Sequence, residues 1–195
     1  MTELSEAGSK DHTTQAVLTS AVTAVMTAFV FILTFFQPLQ VRFPATGGYF
    51  NLGDIMIFTS AFTFGPIVGG FAGGVGSSLA DVASGSANFA PFTFVIKGLE
   101  GFVAGYVAQK AIRGREYFAW FLGGTILVVG YFLVVEFLYG LPAAIFPELP
   151  GDVVQAVSGG LVGLPVSRAL RGRLPLSLSK KGFTKASSRT PKQVT

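Results

Sequence analysis

The sequence predicts an all-α integral membrane protein, a bundle of six transmembrane helices. Half of its 195 residues are hydrophobic and only 12% are charged, whereas soluble domains carry about 25% charged residues. In addition, the apolar segments follow one another so closely that a single bundle uses nearly the whole chain. These observations exclude an ordinary soluble domain and favour one membrane domain.

The predicted helices are separated by short polar breaks or breaks that contain Gly and Pro. A membrane helix needs about 20 mostly apolar residues, and helices buried inside a bundle can be somewhat shorter. The segments run over residues 14–36, 53–64, 67–83, 91–111, 117–138 and 152–170. Only a minimal turn joins the second segment to the third, so these two could instead form one broken element.

Charge placement predicts the orientation of the bundle. Lys and Arg are preferred in cytoplasmic loops, and with the N-terminus inside, all of them except Arg42 and Lys97 become cytoplasmic. Both termini are then inside, which requires an even number of spans. We therefore expect a cytoplasmic tail at residues 1–13, a six-helix membrane domain at 14–171, and a basic, disordered cytoplasmic tail at 172–195.

Polar side chains within the predicted helices are concentrated in the outer half of the bundle. An ionisable group inside a membrane is energetically costly, which makes each one a functional candidate. The outer half contains Asp54, Asp81, Lys97, Glu100, Glu136 and Gln155. This asymmetry predicts a polar ligand site that is open to the outside.

Each ionisable residue also has a purely structural interpretation. Asp54 is placed to cap the N-terminus of its helix. Lys97 and Glu100, three residues apart, can neutralise each other on one helical face. Asp81 and Glu136 can lie at the headgroup level and face water. The convergence of polar groups from distant segments favours the ligand site more than any single residue does.

Two outer loops combine aromatic and amide side chains, which suit a flat heterocyclic ligand because rings stack on it and amides bond its edges. The residues are Tyr49, Phe50 and Asn51 in the first loop, and Asn88 and Phe89 in the second. An aromatic belt at the membrane surface would have a similar composition. Both interpretations remain open at this point.

The first helix carries a stripe of small side chains. Ala16, Ser20, Ala24 and Ala28 recur every four residues, a pattern that allows another helix to approach closely. The helix that packs there belongs either to the same chain or to a separate subunit.

Catalytic and metal-binding patterns are lacking in the sequence. The chain has no cysteine, and its single histidine, His12, lies in a polar segment. Neither a Gly-x-Ser-x-Gly motif nor a P-loop lysine motif occurs, so this chain is not a P-loop ATPase. We expect no catalytic residues, metal or cofactor. Charge placement also argues against a nucleic-acid partner, because the basic residues lie beside membrane segments rather than on a globular face.

Four sequence segments, together with the six-helix plan and the small-residue stripe, point to a known family. They are GGYFNLGD at residues 47–54, FGPIVGG at 64–70, AD at 80–81 and APFTFVIKGLEG at 90–101. Over about residues 14–170 the chain resembles the substrate-binding S components of energy-coupling factor (ECF) transporters. It is most similar to their riboflavin and hydroxymethylpyrimidine type.

This resemblance implies a transporter subunit, not an enzyme, in the plasma membrane of a prokaryote. Such a subunit captures a small vitamin or vitamin precursor at its outer side and docks on a transmembrane coupling (T) subunit. It delivers the vitamin inward while two ATPase subunits hydrolyse ATP. The resemblance also implies that Ala16, Ser20, Ala24 and Ala28 contact the coupling subunit.

The charge of the predicted pocket bears on its ligand. Four carboxyl groups face one lysine, so the pocket is net negative if all of them are ionised, which favours a cationic or donor-rich ligand such as a thiamine-type pyrimidine. The alternative function is a membrane-embedded enzyme or a structural membrane partner that uses the polar cluster for proton transfer or packing.

Overall fold

Helices make up most of the structure seen in a computed structural model, which describes residues 2–36, 38, 40–110 and 114–174. For residues 2–12 only the course of the backbone is described, so the side chain of His12 is outside the described part. The expected disordered tail also lies outside it from residue 175 onward, as does the expected end of the fourth helix at residue 111.

Six of the seven α-helices in the described part of the chain correspond to the six predicted segments. The helices are α1 (Thr2–Phe35), α2 (Gly53–Phe64), α3 (Pro66–Ala83), α4 (Ala90–Ala108), α5 (Arg115–Tyr139), α6 (Leu141–Ala143) and α7 (Leu149–Arg173). Two short strands, β1 (Val41–Arg42) and β2 (Tyr49–Phe50), pair antiparallel in the first long connection. A π-helix, Ala144–Glu148, joins α6 to α7.

The main differences from the predicted segments lie at two helix starts. Helix α1 begins at Thr2, so the segment expected to be a tail continues the helix. Helix α7 begins at Leu149 because Pro150 stands in its first turn, where proline's missing N–H would have no partner anyway. Gly65, with φ of 101°, separates α2 from α3, so these are two helices rather than one broken element.

The outer surface of the bundle is strongly apolar. Phe137, Phe146 and Ile67 are 83%, 77% and 69% exposed, and contiguous exposed apolar surface of this kind suits contact with lipid. Within the described residues, three helical segments are long and apolar enough to cross a membrane, Thr13–Phe35, Arg115–Tyr139 and Leu141–Arg173. The shorter apolar helix α2 is largely enclosed by the others.

Glycines bring α3 and α4 into backbone contact. A Cβ atom added to Gly73 would lie 2.5 Å from the carbonyl oxygen of Lys97, and one added to Gly69 would lie 2.8 Å from that of Gly101. Real Cβ atoms do not approach so closely, so larger side chains at these positions would push the helices apart. The close approach fixes the position of α4, which carries Lys97 and Glu100.

The two ends of the bundle differ in character. The end that carries β1, β2 and the connection between α5 and α7 is called the hairpin end below. The opposite, basic end carries Lys110, Arg115, Arg168, Arg171 and Arg173. There Glu116 of α5 accepts hydrogen bonds from Arg168 and Arg171 of α7. Nearer the middle, the indole N–H of Trp120 donates to the carbonyl oxygen of Ala156, 2.7 Å away.

Candidate functional site

A buried cluster of three ionisable residues joins α2 to α4. Lys97 Nζ lies 2.5 Å from Asp54 Oδ1 and 3.3 Å from Glu100 Oε2, and each side chain is at most 1% exposed. Burial of charge is unfavourable unless the charges are paired, and here one ammonium is shared by two carboxylates. This arrangement contains the predicted pairing of Lys97 with Glu100. Asp54 engages Lys97, and its Oδ2 has no hydrogen-bond partner among the described residues, so Asp54 is not a helix cap.

Directly toward the hairpin end from this cluster lies a small polar cavity of about 20 Å³. That volume is close to what one water molecule requires. Its lining includes four of the predicted site residues, Tyr49, Asn51, Phe89 and Gln155. The structure thus brings together residues from the first loop, the second loop and α7 that lie more than a hundred positions apart in sequence.

The hairpin is tied to α3 by a buried hydrogen bond. The hydroxyl of Tyr49 on β2 donates to Asp81 Oδ1 at 2.7 Å. Burial, reinforced by the nearby Asp81 carboxylate, raises the pKa of the Tyr49 hydroxyl well above its usual value, so the hydroxyl stays protonated and remains a donor. Asp81 itself is only 5% exposed and therefore does not face water.

Asn51 links the start of α2 to α7. Its backbone N–H donates to Gln155 Oε1 at 2.9 Å. Its side-chain oxygen accepts from the backbone N–H of Gly53 at 2.8 Å, as a capping side chain does at a helix start. Both Asn51 and Gln155 are buried, so the connection between β2 and α2 is held firmly over the cavity.

Three predicted site residues lie away from the cavity lining. Phe50 is half-buried on β2, and Asn88 is exposed and donates to the hydroxyl of Tyr139 at 3.3 Å. Glu136 is exposed on the outer surface of α5, which agrees with its alternative interpretation as a water-facing residue at the headgroup level. The structure does not bring these three side chains together with the others.

Besides the backbone of Gly48, four side chains that line the cavity were missed by sequence reasoning. They are Ser86, Tyr131, Glu148 and Asp152. The sixth helix was predicted to begin at Asp152, which left Glu148 outside the predicted helices. The available signal was the spacing of Glu148, Asp152 and Gln155, which places the three on one helical face.

The cavity and the ion cluster share a wall. Tyr131 lines the cavity, and Lys97 Nζ lies 5.7 Å from the centroid of its ring. The hydroxyl of Tyr131 donates to Thr93 Oγ1 at 2.9 Å. The same aromatic ring therefore lines the cavity and contacts the cation, and a cation–π interaction contributes to holding both groups in place.

A second, larger cavity has a different character. It measures about 540 Å³ and lies between α5 and α7, where its lining includes Trp120, Phe121 and Val157. Several of its side chains are exposed on the apolar exterior, Phe121 by 68%. It lacks the convergent polar groups that orient a ligand, so the polar cavity at the hairpin end is the better candidate site.

The stripe of small residues on α1 faces outward. Ala16, Ser20, Ala24 and Ala28 are all exposed, and no helix of the described part of the chain covers them. Within residues that the structure describes, no group of three or more His, Cys, Asp or Glu could hold a metal ion.

A predominantly helical bundle with an apolar exterior and a buried polar cluster suits a membrane protein. A family described as the S component of ECF-type riboflavin transporters matches residues 14–172. The chain belongs to this family of vitamin transporter components.

Two similar proteins accompany the family match. An uncharacterised protein of Pyrococcus woesei is 46% identical over 137 residues, which cover 70% of this chain and 91% of that protein. The thiamine precursor transporter HmpT of Lactococcus lactis subsp. cremoris (strain MG1363) is 29% identical over 165 residues, covering 84% of this chain and 91% of HmpT.

Proposed function

We propose that this chain captures a small vitamin or vitamin precursor at its outer side and delivers it inward as the S component of an ATP-driven importer. In this proposal the six longer helices span the plasma membrane of a prokaryote, the hairpin end faces outward and both termini are cytoplasmic. A transmembrane coupling subunit and two ATPase subunits complete the importer, and ATP hydrolysis takes place on those partners.

The observation that carries the proposal is the polar cavity at the hairpin end. It combines aromatic rings, Phe89 and Tyr131, with amide and carboxyl groups, including Gln155 and Asp152, within an otherwise apolar bundle. Rings and a few convergent polar groups are the usual composition of small-molecule sites. The description of the family and the name of HmpT support two ligand types, riboflavin and a thiamine-type pyrimidine.

The size of the cavity indicates how a ligand enters. A drug-sized ligand needs a pocket of about 300–1,000 Å³, whereas the cavity measures about 20 Å³. The hairpin forms its cover, held by the bond from Tyr49 to Asp81 and the bond from Asn51 to Gln155. We therefore expect the hairpin to move outward when a ligand binds.

Native mass spectrometry of the detergent-purified chain tests the capture role. We expect a vitamin-sized molecule that survives purification and is released on denaturation. Calorimetric titration with riboflavin, thiamine, hydroxymethylpyrimidine, pantothenate and biotin should give saturable binding of the same compound. Failure to retain or bind any of them would contradict the capture role and redirect attention to a membrane enzyme or structural partner.

A further inference from the structure

Carboxylates outnumber cations in the buried interior of the described residues. The buried carboxyl residues are Asp54, Asp81, Glu100, Glu148 and Asp152, and Lys97 is the one buried basic residue. Lys97 is already shared by Asp54 and Glu100. The carboxyl groups nearer the hairpin end must therefore be satisfied by other donors.

Two of these remaining carboxyl groups have partners on the hairpin or the loop that follows β1. Asp81 accepts from the hydroxyl of Tyr49 at 2.7 Å, and Glu148 accepts from Thr46 Oγ1 at 3.3 Å. Both bonds hold the cover of the cavity rather than point to a ligand. Asp81 Oδ2 has no hydrogen-bond partner among the described residues, but Asp81 does not line the cavity. Glu148 lines the cavity, and Thr46 already donates to it.

Asp152 is different. It is only 5% exposed, it lines the cavity, and its Oδ2 has no hydrogen-bond partner among the described residues. A buried polar atom without a partner is unfavourable, and more so when it is charged. A ligand that donates a hydrogen bond to Asp152 removes this penalty. The free energy of binding therefore depends strongly on whether the ligand carries hydrogen-bond donors on the edge that faces Asp152.

We propose that Asp152 is the specificity-determining residue of the cavity and selects a heterocycle with a ring nitrogen beside an exocyclic amino group. This inference rests on the proposed capture function. The two nitrogens of such an edge match the two oxygens of a carboxyl group in a pair of parallel hydrogen bonds, as a guanidinium does. The match is made by an ionised Asp152 with a heterocycle that carries a proton on its ring nitrogen.

The same geometry disfavours an edge in which a carbonyl replaces the amino group. A carbonyl oxygen would face an ionised carboxylate oxygen with no proton between them, and neither acceptor could be satisfied. Sites built for a particular donor pattern reject analogues that lack it far more strongly than apolar pockets reject a missing methylene. Asp152 thereby discriminates between ligands of nearly identical size.

The test compares two pyrimidines of matched shape by calorimetric titration of the purified full chain. The probes are 4-amino-5-hydroxymethyl-2-methylpyrimidine and its 4-oxo analogue, each titrated into the wild-type protein and Asp152→Asn. We expect the wild-type protein to prefer the amino compound at least tenfold, and Asp152→Asn to reduce that preference tenfold or more. An asparagine can donate to the carbonyl of the oxo compound, so its binding should improve.

Glu116→Gln is the matched control, because it makes the same change from carboxyl to amide at the basic end. Its partner Arg168 lies 16 residues beyond Asp152 on α7, about 24 Å along the helix. The preference of the Glu116→Gln variant for the amino compound over the oxo compound should equal that of the wild-type protein. Thermal unfolding of both variants in detergent establishes that they are folded.

The possible failures are distinguishable. Equal or tighter binding of the oxo compound or of riboflavin by the wild-type protein, unchanged in Asp152→Asn, would overturn the role of Asp152 and leave the capture function standing. Retention of a vitamin that lacks a ring nitrogen beside an amino group would likewise overturn the role of Asp152 and leave the capture function standing. Absence of binding for the whole vitamin panel would overturn the capture function and this inference with it.

Discussion

Lys97 is the one buried basic residue in the described part of the chain, and it compensates the charge of neighbouring carboxyl groups. It is bonded to Asp54 of α2 and lies within 3.3 Å of Glu100 on its own helix. A buried ion pair is weak evidence of net stabilisation, but removal of one partner leaves an uncompensated charge. Lys97 therefore contributes chiefly by placing one positive charge between two carboxyl groups that would otherwise repel each other when ionised.

Replacing Lys97 with Met should lower stability by about 3–5 kcal/mol, the usual effect of breaking a buried pair. The measurement is thermal unfolding of the detergent-purified protein. Adding Asp54→Asn to Lys97→Met should recover part of the loss, because it removes one of the two unpaired carboxylates. Strictly additive losses in the double variant would show that the two side chains are not coupled.

Tyr49→Phe should loosen the hairpin. The variant loses the hydroxyl that donates to Asp81, and a buried acceptor that loses its donor costs about 1–3 kcal/mol. Hydrogen exchange of residues 43–50 should become faster. Tyr106→Phe, which removes a hydroxyl bonded by Lys110 at the basic end, is the control. Equal exchange of the hairpin in both variants would argue against Tyr49 as its anchor.

Sequence reasoning at the residue scale was strongest for charges inside apolar segments. Lys97, Glu100 and Asp54 stood out because each interrupts a hydrophobic run, and the structure places them in one cluster. Glu136 interrupts such a run equally, yet it faces outward. Which face of a helix is buried depends on tertiary packing, and a helix that is apolar all round carries no periodicity to indicate it.

At the scale of elements, the contact between α3 and α4 leaves no space for side chains larger than glycine at several positions. The two helices meet through glycines, and a Cβ at Gly73 would collide with the backbone of α4. Gly98 lies at the same interface, but a Cβ there would be 3.6 Å from its nearest neighbour, an ordinary contact. Gly73 and Gly98 therefore allow the same substitution to be compared at a crowded and at an uncrowded position of one interface.

Gly73→Ala should destabilise the protein by about 1–3 kcal/mol, because overpacking forces the helices apart. Gly98→Ala should be neutral or slightly stabilising, since alanine favours helix more than glycine does. Thermal unfolding of both variants in detergent distinguishes them. Equal melting temperatures would mean that the interface relaxes without penalty.

Ala24→Leu should abolish vitamin uptake by the assembled importer while ligand binding by the purified chain stays intact. The stripe on α1 is exposed, and a larger side chain obstructs close approach of a partner helix. Ala83→Leu makes the same change at an exposed position on α3 and should preserve uptake. Loss of binding in Ala24→Leu would indicate that the stripe supports the fold of this chain instead.

The helices themselves were predictable to within about three residues for α2 to α5, because Gly and Pro punctuate the apolar runs. The π-helix at Ala144–Glu148 was not. Proline normally breaks a helix, and Pro147 lies in the segment left between the predicted helices 117–138 and 152–170. The continuous helical course through that segment is what carries Glu148 onto the same face as Asp152.

At the scale of the whole molecule, the separation of charge between the two ends predicts its orientation. The chain contains no cysteine. A maleimide therefore labels only a cysteine that has been introduced, and the labelling shows on which side of the membrane that position lies. A membrane-impermeant maleimide should label Ala87→Cys in intact cells. It should label Lys110→Cys only after permeabilisation, because positive residues are retained in the cytoplasm. Both positions are exposed, and the reverse pattern of labelling would invert the proposed topology.

The bond from Trp120 to Ala156 has an optical consequence. Trp120 is the one tryptophan of the chain, and its indole N–H donates to the residue that follows Gln155 on α7. The tryptophan emission therefore comes from a single indole, which is bonded to the residue next to the cavity-lining Gln155. A displacement of α7 that breaks this bond changes the polarity around the indole, and the wavelength of emission shifts with it. The protein thus carries a built-in fluorescent reporter of movement at its candidate site.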